Sequence, residues 1–141
     1  ATYCFSALFF LFNEAYLYSK QLLGKTYFFI TNDDSHKIVG AFTVANDSIK
    51  ASLISKSTRN KLQRSIPNAK RTRSYPAVLI GRLGVASGLR GLNIGSDMLD
   101  YIKEVFSDDN NRTGCRYVVV EAYNNPDVLA FYEKNDFIAV R

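Results

Sequence analysis

The chain has 141 residues, of which 47% are apolar and 13% aromatic, and its formal net charge is +5. This length and composition predict one folded domain over residues 1–141 and exclude a disordered or multidomain chain. No apolar run reaches the ~18 residues of a membrane span. Cys4, Cys115 and a single histidine lack the spacing of a metal site, so the composition indicates a reducing, cytoplasmic setting without a metal.

The first elements predicted along the chain are a helix and a β-hairpin. Apolar residues at near-helical spacing predict an amphipathic helix over 6–23, stopped by Gly24. Runs rich in β-branched and aromatic residues over 26–31 and 38–45, joined by a polar turn, predict the hairpin. His36 falls in that turn, so we interpret it as a surface residue and expect no histidine-based nucleophilic mechanism.

The middle of the chain is strongly basic. Residues 48–96 contain ten lysines and arginines and no aspartate or glutamate, with a short basic helix predicted over 55–65 and a loop over 67–74. Such a charge distribution is typical of a protein that binds a polyanion, although a solvated basic face is the alternative interpretation. The cations that are candidates for contacts with nucleic acid phosphates are Lys56, Arg59, Lys61, Arg64, Lys70, Arg71 and Arg73.

A strand, a flexible loop and a helix follow this basic segment. A nearly continuous apolar run predicts a buried strand over 76–85, and helical spacing of apolar residues predicts a helix from about Leu92 to Phe106. The small residues between them would leave backbone N–H groups and the positive end of a helix dipole exposed, which suits a phosphate. An ordinary strand-to-helix turn is the alternative, because the glycine spacing fits neither a P-loop nor a dinucleotide fingerprint.

The last third of the chain repeats the strand-helix order. We predict a strand over 115–123, a helix over 126–134 that begins at Pro126, and a final strand over 137–140. Two strand-helix units after a hairpin predict a mixed α/β sheet.

The loop resembles the acyl-CoA pyrophosphate loop of the GNAT family of N-acetyltransferases. That family has Arg or Gln, two residues, Gly, one residue, and Gly or Ala, and here Arg90, Asn93 and Gly95 stand at the three positions. Asn93 departs from the usual glycine, but Asn tolerates left-handed backbone better than most residues. The resemblance assigns to acetyl-CoA the residues Leu83, Gly84, Val85, Arg90, Gly91, Leu92, Asn93, Ile94, Gly95, Ser96 and Asn125.

A second motif supports the same family. Asn125 is followed seven residues later by Tyr132, then by Glu-Lys, a polar residue, Asp136 where the family usually has Gly, and Phe. The resemblance covers about residues 26–141 and implies the GNAT acyltransferase fold, in which two central parallel strands splay apart. The family's first and last strands are not evident, so we expect the chain to be a fragment of that fold.

The resemblance also implies a reaction. The acetyl donor would lie between strands 76–85 and 115–123, paired with backbone groups of Leu83 and Val85. A primary amine would attack the thioester, with the oxyanion stabilised by an N–H near Val85 and the CoA thiolate protonated by Tyr132. The general base is left open; Glu121 is one candidate, and an acceptor α-amine would need none, because its pKa lies near 7.7–8.0.

The strand itself resembles one subgroup, the acetyltransferase toxins of toxin–antitoxin modules. It reads Pro, an apolar run, then Arg-Leu-Gly-Val where the subgroup often has Arg-Leu-Ala-Val. The resemblance implies the α-amine of aminoacyl-tRNA as acceptor and a cognate antitoxin as partner, and it leaves a homodimer open. The lack of a long apolar run predicts no membrane partner. A small-molecule or protein amine as acceptor, and a non-catalytic acyl-CoA- or RNA-binding module, are the alternatives.

Overall fold

The computed structural model describes residues 13–68 and 73–140. These residues form four helices and four strands, with short 3₁₀ turns after the second and third strands. They are α1 (Ala15–Lys20), β1 (Lys25–Ile30), β2 (Ile38–Lys50), α2 (Lys56–Gln63), β3 (Ser74–Val85), α3 (Ile94–Ser107), β4 (Tyr117–Val120) and α4 (Pro126–Lys134). The predicted mixed α/β class is confirmed.

The strands form one mixed sheet in the order β1-β2-β3-β4. The first two junctions are antiparallel, and β3 and β4 are parallel, as a strand-helix-strand connection requires. In the predicted turn of the β1–β2 hairpin, the Asp33 carboxylate accepts the N–H of Ser35 at 2.9 Å. His36 is exposed in that turn, as the sequence predicted.

The β2–β3 pair is the longest part of the sheet. It runs from Gly40 opposite Val85 to Lys50 opposite Ser74, so β2 extends five residues beyond the strand that the sequence predicted. The polar residues of this extension have low β-propensity, but pairing with the apolar β3 overrides it.

A β-bulge at Gly81 interrupts this pair. Thr43 lies opposite Arg82 and Val44 lies opposite Ile80, which leaves Gly81 without a partner on β2. The extra residue shifts the alternation of side chains along β3. As a result Ile80, before the bulge, and Leu83, after it, pack into the same apolar cluster although they are three residues apart.

That cluster is the main core, and α3 supplies its centre. Met98, Leu99 and Ile102 are all at most 1% exposed and pack on β2 and β3. Burial of such side chains stabilises the fold by about 1.5–3 kcal/mol each. The helix approaches closely: a Cβ at Gly40 would lie 2.6 Å from the Met98 sulfur. The core thereby fixes where the N-terminus of α3 lies relative to the end of β3.

A second, smaller cluster lies at the other end of β3. Ala51, Ile54 and Tyr75 are buried there, and the Tyr75 ring meets that of Tyr117 edge-on at 5.9 Å. This cluster anchors the connection that leads to α2, where the Ser55 hydroxyl accepts the N–H of Thr58 at 3.3 Å. The basic helix that the sequence predicted is therefore present at the opposite end of β3 from α3.

The first helix is shorter than the sequence predicted. Helix α1 ends at Lys20, before Gly24, because Leu22 takes a left-handed conformation and the N–H of Leu23 bonds to the Tyr18 carbonyl at 3.0 Å. Residues 6–12 of that predicted helix lie outside the described residues. No helix in the described part of the chain is long and apolar enough to cross a membrane.

The predicted strand over 137–140 is wrong. These residues form no strand, and Ile138 is 78% exposed. Their composition favours a strand, but a strand requires a pairing partner, and within the described residues β4 pairs only with β3. β4 is also shorter than predicted, because its pairing ends at Val120.

Candidate active site

The central parallel strands separate at the bulge. β3 and β4 pair from Ala77 opposite Tyr117 to Ile80 opposite Val120, and β3 then continues to Val85 beyond the last pair. From Gly81 onward this side of β3 has no partner on β4, and we call this unpaired side the gap. It lies beside the stretch of β3 that the sequence associated with the acetyl donor.

Two residues of β3 direct their backbone groups into this gap. The N–H of Ala86 donates to the Val39 carbonyl at 2.8 Å, which fixes the hydrogen-bonding alternation of the antiparallel pair. Gly84 therefore faces β2, whereas the N–H and C=O groups of Leu83 and Val85 point to the other side, where β4 has ended. This geometry suits an extended ligand with amide groups.

The loop after β3 contains two residues with positive φ. After a 3₁₀ turn over Ser87–Leu89, Gly91 has φ 82° and Asn93 has φ 63° and ψ 14°. Asn93 thus takes the left-handed conformation that a glycine would provide, so the departure from the family pattern leaves the loop intact. A left-handed residue followed by right-handed ones turns successive N–H groups into a concave surface that favours anions.

The first turn of α3 is uncapped, in contrast to that of α4. Asn93 precedes α3 but accepts no side-chain capping bond. Asn125 caps α4, with its carbonyl oxygen accepting from Asp127 N–H at 2.9 Å and Val128 N–H at 3.5 Å. The α3 amides are therefore open to a phosphate. The structure accounts for Asn125 as a helix cap, and its contact with acetyl-CoA stays a prediction.

The remaining loop residues assigned to acetyl-CoA differ in exposure. Leu92 is 63% exposed, Ile94 packs against the main core, and Ser96 is buried. A Cβ at Gly95 would lie 3.2 Å from the Phe131 ring of α4. Gly95 is therefore needed for the close contact of α3 with α4, independently of any ligand.

Two cations, Arg90 and Lys134, lie at this loop, and only Arg90 was predicted from the sequence. Arg90 is exposed, and no described carboxylate pairs with it. Lys134, at the end of α4, donates from Nζ to the Asn93 side-chain oxygen at 3.4 Å. Its position two residues after Tyr132 in the second motif was the signal in the sequence that could have identified it.

Tyr132 lies on α4 within the main core. Its ring packs edge-on against Phe131 at 5.2 Å and Phe137 at 5.4 Å, in the cluster that also includes Leu83 and Val85. Asp136, where the family usually has Gly, has φ 66° and so adopts the left-handed conformation as Asn93 does. Tyr132 is therefore held beside the strand that borders the gap. Its role as the general acid stays a prediction.

The thiol next to β4 is not suited to nucleophilic chemistry. Cys115 is half-buried and its thiol donates to the Tyr117 carbonyl at 3.2 Å. Burial raises its pKa, so the thiol is protonated at neutral pH. Within residues 13–68 and 73–140, no group of three or more His, Cys, Asp or Glu residues is arranged to hold a metal ion.

The predicted nucleic acid contacts lie far from the loop. Lys56, Arg59 and Lys61 are on α2, Arg64 follows it, and Arg73 directly precedes β3. They cluster at the N-terminal end of β3, whereas the gap begins in its second half. Lys70 and Arg71 fall outside the described residues.

Comparison with known proteins identifies the family and its fold. The sequence profile of the acetyltransferase (GNAT) family matches residues 5–137. AtaT complexed with acetyl-methionyl-tRNAfMet superposes with a TM-score of 0.76 at 22% identity, over 94% of this chain and 74% of that one. A tyrosine-to-phenylalanine mutant of KacT gives the same four values. AtaTR bound with AcCoA superposes with a TM-score of 0.67 at 23% identity, over 94% of this chain and 73% of that one. No curated protein matches the chain significantly.

Proposed function

This chain belongs to the GNAT family of acetyltransferases, which use acetyl-CoA, and on that premise we propose that it transfers the acetyl group to the α-amine of an aminoacyl-tRNA. The observation that carries the transfer is the gap between β3 and β4, which opens at Gly81 and leads to the uncapped α3. The acid-free basic segment over 48–96 supports the choice of acceptor.

The residues present fit the acetyl donor. The pyrophosphate would lie on the open amides of Ile94, Gly95 and Ser96, with Arg90 and Lys134 supplying positive charge. The pantetheine arm would run from there into the gap, its amides paired with the backbone of Val85 and Leu83.

This direction places the reacting thioester near the point where the strands diverge. The backbone N–H of Leu83 is then closer to the developing oxyanion than the N–H of Val85. The sequence had predicted an N–H near Val85 for this role. The acceptor nitrogen forms a bond to the acetyl carbon, the bond from that carbon to sulfur breaks, and the leaving thiolate takes a proton from the Tyr132 hydroxyl. The excess proton on the new amide nitrogen passes to solvent, and Tyr132 takes a proton from solvent, which regenerates the acid.

No side chain in the described part of the chain is held in place as a general base, and this favours an α-amine as acceptor. An α-amino group, with a pKa near 7.7–8.0, is partly neutral at pH 7, whereas a lysine side chain near 10.4 would need deprotonation. Glu121 follows β4 and is exposed, so it is not held in place as a base. The structural similarity to AtaT, solved with acetyl-methionyl-tRNAfMet, supports the same acceptor class.

The proposal extends to partners and location. By the same similarity we propose that an antitoxin restrains the enzyme, since AtaT has been solved bound to the C-terminus of AtaR. We also propose that the enzyme forms a homodimer, and light scattering is the first test of this assembly. Aminoacyl-tRNA as substrate implies that the enzyme works in the cytoplasm.

The test uses labelled acetyl-CoA with aminoacyl-tRNAs, peptides and polyamines offered in parallel. We expect label in aminoacyl-tRNA, and the Arg59→Glu/Lys61→Glu/Arg64→Glu variant should lower kcat/KM for it by at least about 10²-fold, because reversed charges repel phosphates. A matched variant, Lys25→Glu/Lys37→Glu/Arg112→Glu, makes the same charge change outside the basic segment and should retain most activity. If label is recovered only in peptides or polyamines, that class and not tRNA is the acceptor. If no acceptor is labelled, the chain is a non-catalytic acyl-CoA- or RNA-binding module.

A further inference from the structure

A cavity lies at the end of the β2–β3 pair. The residues that line it have no part in the acetyl transfer itself. It measures about 540 Å³ and lies at the opposite end of β3 from the acetyl-CoA loop. Its lining is Ser48, Lys50, Ala51, Ser52, Arg73 and Ser74. Every polar side chain in this set is a hydroxyl or a cation.

The alternation of the strands explains why the lining contains no acid. Ser48 and Lys50 are two residues apart on β2 and share one face, and Ser74 lies directly opposite Lys50. Asp47, the nearest acid in the sequence, points to the other face and accepts the N–H of Ser48 at 2.7 Å. The cavity therefore offers two positive charges and three hydroxyl donors without a competing carboxylate.

The floor of the cavity is held rigidly. Ala51 is buried and donates its N–H to the Arg73 carbonyl at 2.8 Å, which ties the end of β2 to the start of β3. The second core cluster, with Tyr75 and Ile54, packs beneath the same junction. The backbone that carries the lining side chains is therefore fixed before a ligand arrives.

We propose that this cavity binds a backbone phosphate of the acceptor RNA, in addition to the contacts made by α2. The proposal rests on the proposed function. Serine hydroxyls together with Lys and Arg are common partners of nucleic acid phosphates, and such contacts position the substrate without reading its sequence. The cavity is thus a positioning site for the acceptor.

The length of β3 gives this site a defined distance from the reaction. Seven residues separate Ser74 from Gly81, where the gap opens, which corresponds to about 23 Å along the strand. At ~3.4 Å per stacked nucleotide, the bound phosphate lies about seven nucleotides from the aminoacylated end. A short aminoacylated fragment would reach the gap without reaching the cavity.

Binding of the phosphate group is tested first by itself. Amide chemical shifts of the full chain are followed during titration with inorganic phosphate and, separately, with a short RNA duplex. We expect shifts at Ser52 and Ser74 with both, and their loss in Lys50→Gln/Arg73→Gln. No shift with either ligand overturns the site, and shifts with phosphate alone overturn RNA as its source.

Substrate length provides the second test. An aminoacylated four-nucleotide RNA and an aminoacylated 12-base-pair minihelix are compared as acceptors. The Lys50→Gln/Arg73→Gln variant should raise KM for the minihelix by about tenfold and reduce its log–log salt slope by about 2, while KM for the tetranucleotide is unchanged. The control Lys25→Gln/Lys37→Gln should change neither.

The outcomes separate the two proposals. Equal effects on both substrates, or none on either, overturn the phosphate cavity while the tRNA acceptor stands. If the wild-type enzyme acetylates neither RNA, the proposed function fails, and the proposal for the cavity then depends on the titration with the RNA duplex.

Discussion

The two phosphate sites that we propose lie at opposite ends of β3, and they are built from different parts of the chain. At the C-terminal end the donors are backbone N–H groups, arranged by the left-handed residues Gly91 and Asn93 and by the uncapped start of α3. At the N-terminal end the donors are side chains, on α2 and around the cavity at Lys50 and Arg73.

This difference determines which substitutions each end tolerates. A site built from N–H groups depends on backbone conformation and is insensitive to most side chains, provided that φ and packing are kept. A site built from side chains depends on charge and is insensitive to moderate changes of the backbone. Three variants, taken from the largest expected effect to the smallest, test this contrast at the C-terminal end.

Tyr132 is the one side chain at the C-terminal end that we expect to be indispensable. Tyr132→Phe keeps the aromatic packing on Phe131 and Phe137 but removes the hydroxyl, so kcat should fall by about 10²-fold or more, the usual effect of losing a general acid. Acetyl-CoA affinity, measured by calorimetry, should stay within about twofold. Tyr101→Phe on α3 is the matched control, and wild-type activity in Tyr132→Phe would remove this residue from the mechanism.

Asn93 tests whether the loop depends on conformation. Asn93→Val places a β-branched residue at φ 63°, which costs about 1–2 kcal/mol, so acetyl-CoA binding should weaken by about 5- to 30-fold. Asn93→Gly should bind like the wild type, because glycine adopts the same conformation without strain. Equal affinities of the Val and Gly variants, measured by calorimetry, would contradict a backbone-made site.

Gly95 is a poorer position than Asn93 for testing the phosphate site. Any side chain there meets the Phe131 ring, so a variant such as Gly95→Glu would disturb the contact of α3 with α4 as well as the phosphate site.

Lys134 should give the smallest effect. Lys134→Met keeps the apolar stem and removes the charge beside Asn93, and we expect acetyl-CoA to bind about three- to tenfold more weakly. Pantetheine, which lacks the pyrophosphate, should bind equally to both proteins, and Lys134→Arg should restore most of the affinity. A loss of the same size for pantetheine would mean that Lys134 only supports the loop.

The sequence was most informative where local rules decide the structure. The bounds of α4 were predicted correctly, because Asn125 and Pro126 are start signals that act within one turn. The loop could be identified from the spacing of Arg90 and Gly95, and the basic end of β3 from the run without acids.

The features that the sequence missed depend on partners distant in the chain. β2 extends to Lys50 because β3 lies beside it, and residues 137–140 form no strand because none of the described strands pairs with them. The contact of Lys134 with Asn93 joins residues 41 positions apart. The bulge at Gly81 is a matter of register, which a single strand does not encode by itself.

The bulge makes the register of β3 independent of the residue at position 81. A Cβ at Gly81 would have only the Thr43 carbonyl nearby, at 3.9 Å, so a larger residue fits there. Removing the residue would bring Ile80 and Leu83 to the two-residue spacing of a regular strand, with both side chains still facing the core opposite Val44 and Phe42. The bulge can therefore absorb the loss of one residue from β3, whereas a further single deletion would turn the side chains beyond it to the opposite face of the sheet.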